Sequence, residues 1–157
     1  VIIKADQSID LNQIIQIQQS GTPFIGSISG VLLFIVAIFC LQAKLAMVPF
    51  DMPEAETEIS DGIFIEYSGT PYAMIKLSKY ILLFILPAFV MAILLNGTKL
   101  EGLGILWAVL KLVAVVLLLT LIRNTNPRIK IKQAIRFFFV WMNLLAIIAI
   151  VLAIFGL

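Results

Sequence analysis

Four apolar runs decide what this chain can become. Ser27 to about Met47, Tyr72 to Leu95, Leu103 to Ile122 and Ala134 to Phe155 each approach the roughly 20 residues a helix needs to cross a hydrocarbon layer. Of the 157 residues, 62% are hydrophobic and 13% charged, whereas a soluble domain is about half apolar and about a quarter charged. A soluble core of this size cannot hide that much apolar surface, so the expected medium is lipid. The expected fold class is all-α: a polytopic membrane domain of four transmembrane helices plus a short helix in an acidic loop. Pro49 is expected to stop the first run, because proline lacks a donor and restricts the residue before it. Pro87 is expected to kink the second run, and Asn96-Gly97 to turn the chain after it.

Residues 1–26 are polar and Ile-rich, with Asp6, Asp10, Asn12 and four glutamines between positions 13 and 19. They read as an amphipathic outer connector at the membrane surface. Residues 1–157 are expected to form one membrane domain, and with Val1 first and no signal-peptide pattern the expectation is the C-terminal part of a longer chain. Four spans put the 47–72 loop and the 123–134 loop on one side. The second carries Arg123, Arg128, Lys130 and Lys132, with Arg136 just beyond, while the opposite side shows Lys4 and Lys99. By the positive-inside rule both loops are cytoplasmic and the protein sits in a cell (inner or plasma) membrane.

The net charge of +2 is too small, and the cations too dispersed, for a nucleic-acid footprint. With no histidine and one cysteine, Cys40, inside an apolar run, the chain cannot by itself ligate zinc or an iron–sulfur cluster.

Six of the nine acids, Asp51, Glu54, Glu56, Glu58, Asp61 and Glu66, stand between Met47 and Ile75 with no lysine or arginine among them. Pro53 suits the first position of a helix, Asp51 or Met52 its cap, and Glu54 and Glu56 its first turn; Gly62 would stop it. Over 53–61, Glu54, Glu58 and Asp61 share a face, where like charges repel. Such a cluster buried against protein gains raised pKa values and holds protons near neutral pH; left in water it is only a solvated turn. Interleaved Ile59, Ile63, Phe64, Ile65 and Tyr67 give the loop an apolar side that must pack on something.

Lys111 lies twelve residues before Arg123, about 18 Å along a helix and so near mid-bilayer. A lysine at that depth costs at least about 2.5–3.5 kcal/mol. It is expected to face protein or water and to pair with an acid outside this chain, in the rest of the subunit or in an adjoining membrane subunit; a lysine that merely snorkels is the alternative.

At the acidic loop the sequence resembles membrane subunit 1 (H-type) of NADH:quinone oxidoreductase, respiratory complex I, and its counterpart in energy-converting membrane-bound nickel–iron hydrogenases. The resemblance rests on Pro49-Phe50-Asp51-Met52-Pro53-Glu54-Ala55-Glu56, then Glu58, then Glu66-Tyr67-Ser68-Gly69. Ser8–Ile15 with Gln18 or Gln19, Lys111, and Arg123, Pro127-Arg128 and Gln133 are similar to further family segments in the same order. It implies spans five to eight of an eight-helix subunit. There are departures: Met47 stands where complex I usually has arginine, Lys79 replaces an acid, and Lys132 replaces an aspartate. They place quinone binding in doubt and favour the hydrogenase-like branch.

The resemblance implies a membrane-arm subunit linking a peripheral electron-transfer module to proton or sodium translocation, with no catalysis alone. Asp51, Glu54, Glu56, Glu58, Asp61, Glu66 and Lys111 are then the coupling residues, and Lys79, Arg123 and Arg128 the anchors to other subunits. The implied partners are peripheral hydrogenase-like or quinone-module-like subunits, antiporter-like and small membrane subunits, and the bilayer; an adjoining antiporter-like or small membrane subunit is the implied source of the acid opposite Lys111. Iron–sulfur clusters and a nickel–iron site are expected in those partners, not in this chain. The alternatives are a purely structural anchor for soluble redox subunits, or a true quinone-site subunit.

Overall fold

The computed structural model describes residues 10–21, 23–52, 64, 66–97 and 104–156. Among them every regular element is helical: α1 (Leu11–Ser20), α2 (Ile28–Lys44), α3 (Thr70–Leu94), α4 (Gly104–Thr125), α5 (Ile131–Arg136) and α6 (Asn143–Ile154). A π-helical segment, Phe137–Met142, joins the last two without a break. Three helices, Thr70–Leu94, Gly104–Thr125 and Ile131–Ile154, are long and apolar enough to cross a membrane. The fourth expected span is shorter: α2 has 17 residues, about 26 Å of helix against a hydrocarbon core of about 30 Å.

The cause lies at its end, before Pro49 acts. Ala46 adopts φ +48°, and the Met47 N–H turns back to the Gln42 carbonyl at 3.1 Å, so the chain leaves the helix as a C-terminal cap does. The second run ends the same way, at the expected place. Asn96 and Gly97 have φ +68° and +55°, and both the Leu95 and Gly97 N–H groups return to the Met91 carbonyl. The backbone of α3 is helical straight through Pro87, which is fully buried. Helix α4 runs three residues past the expected Ile122, and α5 begins inside the basic 123–134 stretch, so Arg123 is helical.

Helix α1 is the amphipathic connector. Asp10 caps it by accepting from the Asn12 N–H at 3.0 Å, and Ile14 and Gln18, one turn apart, are buried. A 3₁₀ turn, Phe24–Gly26, leads into α2. There Gly30 is obligatory: a Cβ at Gly30 would lie 1.8 Å from the Phe24 carbonyl oxygen. Helix α2 packs on α6 and α3, α3 on α4, and α1 on α3. Their shared core is Ile14, Phe24, Ile38, Leu41, Leu45, Val90, Leu94, Val115 and Leu119.

Outside that seam the helices are apolar and uncovered. Met74 is 71% exposed, Trp107 61% and Phe139 73%. Patches of this extent mark membrane or protein contact rather than a surface facing water. The molecule is an integral membrane protein.

Candidate functional site at the Asp51 end

The connector after α2 folds against the chain that follows α4. Phe50 is 4% exposed and is held by three rings. Its centroid lies 6.5 Å from Phe39, 5.8 Å from Phe137 and 4.8 Å from Phe138. Consecutive residues of an α-helix point about 100° apart; here Phe137 and Phe138 open the wider π turn and both reach Phe50. π-helical turns of this kind recur at functional sites. The Ile129 N–H donates to the Pro49 carbonyl at 3.4 Å, so backbone and rings clamp the same short connector.

Next to that clamp, Arg128 Nη2 lies 2.8 Å from Asp51 Oδ2, the two side chains being 28% and 11% exposed. Charge-assisted contacts this short are the strong class of hydrogen bond. The pair borders a cavity of about 350 Å³ whose walls include Met47, Lys76, Lys79, Tyr80, Arg123 and Arg128. Lys79 Nζ sits 4.6 Å from the centroid of the Phe64 ring, and Lys76 Nζ 5.4 Å from that of Tyr72. Cations placed over ring faces gain from the ring quadrupole. The apolar wall includes Leu83, the residue to which Pro87 supplies no N–H in the helix ladder.

Of the expected site residues, Asp51, Lys79, Arg123 and Arg128 therefore come together around one cavity. Glu66 is exposed and does not line it. Glu54, Glu56, Glu58 and Asp61, with the expected 53–61 helix and its Gly62 stop, lie outside the described residues. Lys111 is elsewhere. Its ammonium donates to the Leu95 carbonyl at 2.7 Å, at the end of α3 that lies 19 residues from Lys76, roughly 28 Å of helix away. The acid expected opposite Lys111 belongs outside this chain; within it the ammonium meets a helix-end carbonyl.

Sequence reasoning missed the amides. Gln42 is fully buried and donates from Nε2 to the Val48 carbonyl at 2.8 Å and to the Leu119 carbonyl at 3.2 Å. It ties α2 to α4 and to the connector below the cavity. Both acceptors are carbonyls, which fixes the amide orientation and leaves Oε1 without a protein donor. The signal was present: Gln42 is a lone amide within an apolar span, and polar residues there are costly and retained for a reason.

Helices that cross lipid, a proline-flanked Phe-Asp connector clamped by a basic one, and a cation-lined cavity between them define a polytopic membrane protein with one charged connector face. A family model described as NADH dehydrogenase matches residues 1–154, and the chain belongs to that family. It is similar to the H-type subunit of NADH-quinone oxidoreductase from Brevibacillus brevis, 33% identical over 152 residues, which cover 93% of this chain and 44% of that protein. The same subunit of a Geobacillus species is 36% identical over 132 residues, 80% of this chain and 38% of that one. That of Syntrophotalea carbinolica is 31% identical over 137 residues, 87% and 41%. The chain thus spans less than half the length of the curated relatives it matches.

Proposed function

We propose that this chain is the part of a complex I-like membrane subunit that joins a peripheral electron-transfer module to the ion-translocating membrane arm, both connectors facing the cytoplasm. The observation that carries the reading is the Asp51–Arg128 pair at the wall of a cation-lined cavity. A carboxylate held there against a guanidinium gives the acidic connector a fixed root, from which Glu54, Glu56, Glu58, Asp61 and Glu66 answer a redox event by changing protonation. The relatives' name supports the respiratory setting; Lys79, Arg123 and Arg128 supply the complementary charge. Redox centres, iron–sulfur clusters included, belong to partner subunits.

The test is a Glu54→Gln/Glu58→Gln variant of the full subunit in the intact complex. The expected result is normal assembly with coupled ion transport reduced at least about five-fold. Unchanged transport defeats the reading, and loss of assembly with tolerance of Asp in place of Glu supports the anchor alternative instead.

A second reading, electron delivery to protons as in membrane-bound hydrogenases, is favoured by one observation: Met47 and Lys79, two departures from the complex I pattern, both line the cavity. Chains that co-purify with the subunit separate the two, a nickel–iron large subunit against a quinone-linked module.

A further inference from the structure

Gln42 is a poor choice for packing alone. It is fully buried within the apolar helix α2, and its Oε1 has no hydrogen-bond partner, so that atom carries its whole desolvation cost. Leucine fills a similar volume without it. What leucine lacks is the pair of bonds from Nε2, at 2.8 Å to the Val48 carbonyl and 3.2 Å to the Leu119 carbonyl. The backbone carbonyl of Gln42 also accepts from the Met47 N–H at 3.1 Å. One residue thus binds the turn before Asp51 twice.

The other bond of Nε2 falls inside α4. Leu119 is fully buried, and its carbonyl is the one to which the Arg123 N–H returns in the helical ladder. Arg123 stands one turn further on, and Val48, Asp51, Arg123 and Arg128 all line the same cavity. We propose that Gln42 is the positioning residue of the Asp51 site: a single amide nitrogen fixes the turn before Asp51 to the turn before Arg123, and so sets how far the connector carboxylate stands from the α4 cation across the cavity. The inference rests on the coupling reading of that site. Gln42 acts through Val48 and Leu119 and is itself sealed from the cavity's contents. A neutral amide suits this task, because it holds two carbonyls without adding a charge to compete with the Asp51–Arg128 pair.

The test uses variants of the full subunit in its intact complex. Gln42→Leu keeps the volume and removes both donors. Hydrogen exchange is expected to quicken at least about five-fold at the Phe50 and Arg123 amides together, while the Asn96 amide keeps its rate. Ions moved per electron fall at least about five-fold. Gln42→Glu keeps the length: protonated, its carboxyl donates to one carbonyl, and ionised it donates to neither. Its ions per electron, relative to the native complex, are expected to fall as pH rises at a constant amount of assembled complex. Native exchange at either amide in Gln42→Leu, or transport lost only in step with assembled complex in both variants, overturns the proposal. The Glu54→Gln/Glu58→Gln variant is measured beside them. If it loses transport and Gln42→Leu does not, the coupling reading stands and the positioning role falls. If it transports normally while Gln42→Leu loosens both amides and lowers the ratio, the positioning role stands and the carboxylate assignment falls.

Discussion

The two ends of the bundle solve the same problem with different chemistry. Each must hold a connector against helix termini whose backbone groups lack partners. At the Asp51 end the holding groups are charged and aromatic: a carboxylate–guanidinium pair at 2.8 Å and four phenylalanine rings. At the Lys111 end they are neutral amides and one ammonium. Fully buried Gln18 of α1 donates to the Ile93 carbonyl at 3.0 Å and accepts from the Asn96 N–H at 2.9 Å. Amides fix a helix end at a modest and pH-independent gain. Charges hold a connector while leaving it responsive to a neighbouring charge, which is what the proposed coupling role would require. On that proposal the Asp51 end is the responsive one and the amide-held end the permanent one.

The largest way to break this contrast is at Phe50. Phe50→Ala removes a ring held by three others and is expected to cost about 3–5 kcal/mol, read as a lowered thermal midpoint of the complex. Phe50→Leu keeps most of the volume and should cost less than half as much. Equal midpoints for the alanine variant and the native protein show that the aromatic clamp is not what holds the connector.

The ion pair gives the next effect. Arg128→Met leaves the Asp51 carboxylate, 11% exposed, without its guanidinium. Breaking a fully buried pair costs about 3–5 kcal/mol; with Arg128 28% exposed, about 2 kcal/mol is expected. Adding Asp51→Asn removes the stranded charge and should restore more than half of that loss, a coupling that a double-mutant cycle measures. Additive losses would show that the two side chains act separately.

These two effects also mark what was legible in the chain. The apolar runs announced the helices, since burial and lipid both demand backbone bonds satisfied within the segment. Asp51, Phe50 and Arg128 stand in motifs that point to them. The end of α2 falls a few residues early because its stop is a left-handed Ala46, a conformation no residue type there advertises. The π segment is invisible for a related reason: Phe137–Met142 is as apolar as a regular span, and only packing on Phe50 shows what the wider turn accommodates. Depth in an apolar span points Lys111 toward an acid. Among the described residues its ammonium also meets a helix-end carbonyl 16 residues back, a partner with no signature in side-chain spacing.

The smallest effect sharpens the neutral end. In Gln18→Leu the volume is kept, but the Asn96 N–H and the carbonyls of Ala92 and Ile93 lose a side chain that now meets all three. The expected cost is about 1–2 kcal/mol, and it is local. Hydrogen exchange at the Asn96 amide should quicken by about ten-fold, the equivalent of roughly 1.4 kcal/mol, while amides near Asp51 keep their rates. Gln18→Glu places a carboxylate beside the negative end of α3 and should quicken the same amide further, more so above the carboxyl's titration range than below it. If both variants instead loosen the Asp51 end to the same degree, the two ends are one cooperative unit, and the division into a permanent end and a responsive one fails.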